Sequence, residues 1–136
     1  MPEESTAPDP LQLTHELSEA EGVDATMRFY GADAVYDMSQ TGMGIFEGPP
    51  AIRGFLEGWH EAYDDEYSEE RLEVTHVGNG VVFAAVRHKA SLSGSPVRGL
   101  YGYVLVWDDG TLTRITVYTD VDEAHAAAER LAESRR

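Results

Sequence analysis

Leu72-Glu73-Val74-Thr75-His76-Val77 alternates in the manner of a half-buried strand, and Gly78-Asn79-Gly80 directly after it is a strong hairpin turn. Val81 to Leu92 runs back from that turn, and Ser93-Gly94-Ser95-Pro96 reverses the chain again. Val97 to Trp107 reads as a third long strand, Asp108-Asp109-Gly110 as a third turn, and Leu112 to Thr119 as the strand that closes the series. Three turn signals in succession, with no helical stretch between them, specify an antiparallel meander. Upstream, Ala34 to Met38 reads as one more strand, and Gly42, Gly44, Gly48 and Pro49-Pro50 mark a loop. The helix after it, Ala51 to about Tyr63, carries Ile52, Phe55, Leu56, Trp59 and Tyr63 at helical spacing, a broad apolar stripe suited to covering a sheet. Short helices are expected over Leu11 to Ala20 and, capped by Asp24, over Ala25 to Tyr30, with an alanine-rich helix from Val121 to Glu133. The fold class is therefore α+β, a strongly twisted antiparallel sheet with helices packed on it. A sheet bent into such a half-cone leaves a cavity under the helix around Trp59 unless side chains fill it.

The chain has 136 residues, enough for a single domain with a real core, expected over residues 10–136 behind a disordered leader at 1–9. Twenty-five acidic against ten basic side chains leave a formal charge of −15, which opposes nucleic acid and anionic membrane surfaces as partners. No cysteine is present, so disulfides, zinc–thiolate sites and thiol catalysis are excluded. The first ten residues lack the basic start and apolar run of a signal peptide, and a soluble cytoplasmic protein is expected. The five histidines show neither i, i+4 nor His-x-His spacing, so no metal site is expected.

Two stretches carry a resemblance. Ala32 to Asp37, followed by Phe46-Glu47-Gly48-Pro49-Pro50-Ala51-Ile52-Arg53-Gly54-Phe55, resembles the acidic strand, glycine turn and Ala-Ile-Arg-x-Phe helix of the NTF2-like superfamily. Thr116-Val117-Tyr118-Thr119-Asp120 resembles that superfamily's closing strand with its aspartate. The superfamily includes SnoaL-like polyketide cyclases, ketosteroid isomerases and limonene-epoxide hydrolases. The resemblance implies a cone-shaped curved sheet with helices on its concave face, a homodimer, and a cofactor-independent isomerase, cyclase or hydrolase acting on a small apolar organic molecule. A non-catalytic ligand-binding or dimeric interaction module of the same fold is the alternative, because fold does not fix function.

By resemblance Asp37 stands where the isomerases keep a proton-moving aspartate, and burial in an apolar pocket would raise such a carboxylate toward a useful acid or base. Tyr103 matches the strand position that supplies a hydrogen-bond donor to the developing enolate oxygen. Arg87 and Asp120 match two members of the epoxide-hydrolase triad, but Lys89 stands where the third, an aspartate, would be. Asp120 also reads as the N-cap of the last helix, with Glu123 three residues on. Tyr118 is expected to orient the ligand, and Phe46, Phe55, Trp59, Tyr63, Met38 and Met43 to shape its walls. On the strand after the first hairpin, Phe83, Ala85, Arg87 and Lys89 are assigned to the cavity face, and Val82, Ala84, Val86 and His88 to an outer strip suited to pairing with a second copy.

Overall fold

A computed structural model describes the backbone of residues 9–62, 68–92 and 95–136, and the side chains of 9–59, 69–89 and 99–136. The elements run α1 (Pro10–Glu19), α2 (Val23–Met27), β1 (Tyr30–Met38), a 3-10 turn at Ser39–Thr41, β2 (Gly44–Glu47), α3 (Pro49–Ala62), β3 (Ser68–Gly78), β4 (Val81–Leu92), β5 (Ser95–Asp108), β6 (Thr111–Tyr118) and α4 (Val121–Ser134). Six strands form one mixed sheet in the order β2-β1-β6-β5-β4-β3. The meander is antiparallel as its turns specify, whereas β1 joins β6 in parallel and adds β2 as an antiparallel edge. Gly44 to Glu47, expected as loop, is that edge strand, too short to show a period of its own. Most of the expected leader, residues 1–8, lies outside the described residues.

The hairpin between β3 and β4 turns on Asn79 at φ 54° between two glycines of positive φ, a combination that an ordinary L-residue strains to adopt. Asp9 caps α1 by accepting a hydrogen bond from the Leu11 N–H, and Pro10 occupies the first helical position. Asp24 does not cap α2. Gly22 is its N-cap, the helix ends at Met27, and Tyr30 already belongs to β1.

The two faces of the sheet carry different cores. Helices α1, α2 and α3 cover one face, where Ile52 is fully buried with Val82, Leu105, Trp107, Leu112, Ile115 and Val117. On this side the Trp107 indole N–H donates to the Thr14 hydroxyl at 2.9 Å, and that hydroxyl donates to the Pro10 carbonyl at 2.8 Å. The buried indole is thereby satisfied, and α1 is tied to β5. Helix α4 covers the other face, where Ala124, Ala128 and Ala132 pack on Val81, Phe83, Ala85 and Val104. A Cβ on Gly102 would collide with the Ala124 methyl, so glycine lets α4 lie close on β5.

Two bulges set which residues reach which face. In β3, Arg71 pairs with Val86 and Glu73 with Ala85, leaving Leu72 extra. That extra residue shifts the alternation, so Glu69 and Arg71 on one side of the bulge and Val74 on the other all face α1–α3. In β6 the same device at Thr113 keeps both Leu112 and Ile115 in the core under α1–α3.

Candidate functional site

Between the sheet and α1–α3 lies a cavity of about 470 Å³, within the range typical of small-molecule sites. Phe55 and Trp59 from α3 and Met38 and Met43 from around the 3-10 turn form apolar wall, opposed by Leu105, Ile115 and Val117 of the sheet. Phe46 stacks on the back of Phe55 at 4.6 Å between centroids and supports that wall rather than lining it. The side chain of Tyr63 lies outside the described residues.

One set of the cavity's polar groups gathers where β3, β4 and β5 adjoin. The Tyr103 hydroxyl and His88 Nε2 are 2.9 Å apart, and Glu69 Oε2 stands 3.8 Å from the same nitrogen. Register places Glu69 opposite His88 across β3 and β4, while Tyr103 stands opposite Ala84 across β4 and β5 and its long side chain reaches along the sheet to the imidazole. Trp59 meets the imidazole edge-on at 6.3 Å, and Tyr101 tilts against it at 5.0 Å. His88 is only 9% exposed inside this aromatic box. Burial lowers its pKa, and the Glu69 carboxylate opposes that shift without reversing it. A neutral imidazole follows, one nitrogen donating and the other accepting. With the proton on Nε2, His88 donates to the Tyr103 oxygen and the phenol O–H acts as a donor. With the proton on Nδ1, Nε2 accepts from Tyr103 and leaves the phenol oxygen as an acceptor.

Asp37 is elsewhere, which corrects the expected geometry. Tyr36 and Met38 line the cavity, and a period of two turns the intervening Asp37 to the opposite face of β1. There its carboxylate accepts from the Ser39 N–H at 2.9 Å and the Ser39 hydroxyl at 2.6 Å, and pairs with Arg114 Nη2 at 2.7 Å. Burial works against its ionisation, but the Ser39 donors and the Arg114 guanidinium outweigh burial and hold the carboxyl below its usual range. A carboxylate so saturated with donors is a poor base. It fastens the 3-10 turn and clamps β1 to β6.

The other expected residues separate as well. Arg87 projects to the face opposite His88 and pairs with Glu70 at 3.0 Å rather than with Asp120. Asp120 is exposed and caps α4, its Oδ1 accepting from the Glu123 N–H at 3.1 Å. Tyr118 packs on the α4 side of the sheet. The strip Val82, Ala84, Val86 and His88, expected on the outside, lies against the cavity and its core, while Phe83, Ala85 and Arg87 face the other way. Tyr103, Trp59, Phe55, Met38 and Met43 line the cavity, joined by Tyr101, by His88 from the strip expected outside, and by Glu69 and Tyr30, which were not singled out. Glu69 and His88 are hidden in the sequence because the first precedes a bulge that shifts the alternation of β3 and the second follows a stretch of β4 apolar on both faces. Among the described residues no group of three acidic or histidine side chains could hold a metal ion, and no helix is long and apolar enough to cross a membrane.

Neither a family model nor a curated protein sequence matches the chain. Solved structures do. An NTF2-like protein from Burkholderia pseudomallei superposes with a TM-score of 0.70 at 14% identity, over 84% of this chain and 92% of the other. A protein from Shewanella denitrificans provisionally classed as a SnoaL-like polyketide cyclase gives 0.72 at 15% identity, over 91% and 98%. An LEH-like epoxide hydrolase from M. tuberculosis gives 0.69 at 16% identity, over 92% of each chain. At such identities the likeness is one of fold. The sheet order, the helices over the cavity and these likenesses together show that the chain has the NTF2-like fold.

Proposed function

We propose that the protein is a cofactor-independent enzyme that moves a proton on a small, apolar, oxygen-bearing organic molecule held in the cavity, a step common to isomerases, cyclases and hydrolases. The observation that carries this reading is the Tyr103–His88 contact of 2.9 Å against the aromatic wall of the cavity. Two neutral groups that can pass a proton either way are poised for acid–base work near neutral pH. Tyr103 donates to the substrate oxygen as negative charge develops there, His88 supplies or receives the proton behind it, and the Glu69 carboxylate, which also lines the cavity, takes the proton that leaves carbon and returns it. A low-dielectric surround strengthens that donation. Glu69, at the edge of the group, opposes the effect of burial on His88 and keeps its basicity from falling further.

The test is proton exchange on a simple ketone. Incubated in D2O with 2-tetralone, the protein is expected to speed replacement of the α-protons by deuterium above the buffer rate, followed by NMR. Tyr103→Phe removes the donor and is expected to lower the enzymatic rate about 100-fold, the usual effect of deleting one oxyanion donor. Wild-type exchange at the buffer rate across a panel of aromatic and alicyclic ketones, or an unchanged rate in Tyr103→Phe, contradicts the assignment.

A further inference from the structure

The cavity has a second polar end. Tyr30 lines it from the start of β1, and among the described residues its hydroxyl makes no hydrogen bond. No fully enclosed side-chain oxygen or nitrogen lacks a partner among those residues, so the Tyr30 hydroxyl opens onto the cavity space. Strand register locates it. Tyr30 pairs with Leu112, and Leu112 with Trp107, four residues along β5 from Tyr103. Four residues of strand separate the two backbone positions by roughly 13 Å.

Resting on the function proposed above, we infer that the Tyr30 hydroxyl is a ligand-anchoring subsite, so that the cavity selects an elongated molecule with an oxygen at each end of an apolar body. One oxygen meets Tyr103 and His88, the other accepts from Tyr30, and the apolar body lies against Phe55, Trp59 and Ile115. Burial, and then the nearness of Tyr36, raises the Tyr30 phenol well above its usual range, so it remains a neutral donor. Such a group suits a carbonyl, ether or hydroxyl oxygen and gives a ligand carboxylate no compensating charge. Discrimination at this end follows from desolvation, because a ligand without the second oxygen covers the phenol and leaves it unpaired.

The experiment compares two probes with the same body, 4-phenylphenol with one oxygen and 4,4′-biphenol with two, by calorimetry on the whole chain. Wild type is expected to bind the biphenol about three- to tenfold more tightly, the yield of one added hydrogen bond. In Tyr30→Phe the two probes are expected to bind alike. Melting of the unliganded variant is expected to be no lower than wild type, because the lost hydroxyl had no protein partner; a hydroxyl with a structural role would lower it. Binding of both probes with an affinity ratio unchanged by Tyr30→Phe overturns the subsite and leaves the proton-transfer reading standing. Failure of both probes to bind, or binding indifferent to Trp59→Ala, overturns the cavity reading and the subsite with it.

Discussion

Asp37 and His88 lie on opposite faces of one sheet, and each is buried to nearly the same degree, at 8% and 9% exposure. Their surroundings give them opposite characters. Asp37 meets three donors, one of them a guanidinium, and is held ionised. His88 meets a tryptophan and two tyrosines and is held neutral, with one carboxylate at the edge of its reach. Burial alone therefore does not make a group reactive. What matters is what surrounds the buried group, charged donors at Asp37 and aromatic rings with a phenol at His88.

The largest effect that separates the two faces is a stability effect on the α4 side. Phe83→Ala opens a hole beneath α4 and is expected to cost about 3–5 kcal/mol, read as a lowered denaturation midpoint, without altering probe affinity in the folded protein. Asp37→Asn comes next. Weakening a buried, charge-assisted set of hydrogen bonds is expected to cost about 2 kcal/mol, with the cavity unchanged. A loss of ligand affinity in either variant that exceeds the loss of folded protein would break the separation between the faces.

Acid sharpens the same contrast. Asp37 has a folded pKa below its unfolded value, so its contribution is present above about pH 3.9 and is lost as pH falls through the lower folded value. His88 is also lowered, and the unfolded chain takes up its proton first. Its contribution is complete above about pH 6.5 and declines as pH falls toward the lower folded value. Melting curves against pH are expected to show two declines, the lower one removed by Asp37→Asn and the upper one by His88→Gln. The smallest effect is on the imidazole itself. Its NMR titration is expected below the free-histidine value, and Glu69→Gln is expected to lower it further.

The fold was far more legible in the sequence than the face of each strand. Gly78-Asn79-Gly80 and Asp108-Asp109-Gly110 fix the meander because their positive φ values restrict what can follow. Val81-Val82-Phe83-Ala84-Ala85-Val86 is apolar at every position because helices cover both faces of β4. A period of two then carries no information about which face holds the cavity, and the strip ending in His88 reads equally well as outside. The bulge at Leu72 hides Glu69 and Arg71 in the same way, since one extra residue reverses the alternation. In β1 the strand period did contain the answer: Met38 and Asp37 cannot both face the cavity, and the carboxylate is the one turned away.

Exchange of the 2-tetralone α-protons in D2O, measured side by side for His88→Gln and Asp37→Asn and normalised to folded protein, tests most directly which face holds the chemistry. The expected result is loss of the enzymatic rate in His88→Gln and a rate within about twofold of wild type in Asp37→Asn, the mark of a residue outside the transition state. Loss in Asp37→Asn with the rate retained in His88→Gln would contradict the account and return the chemistry to the other face of the sheet.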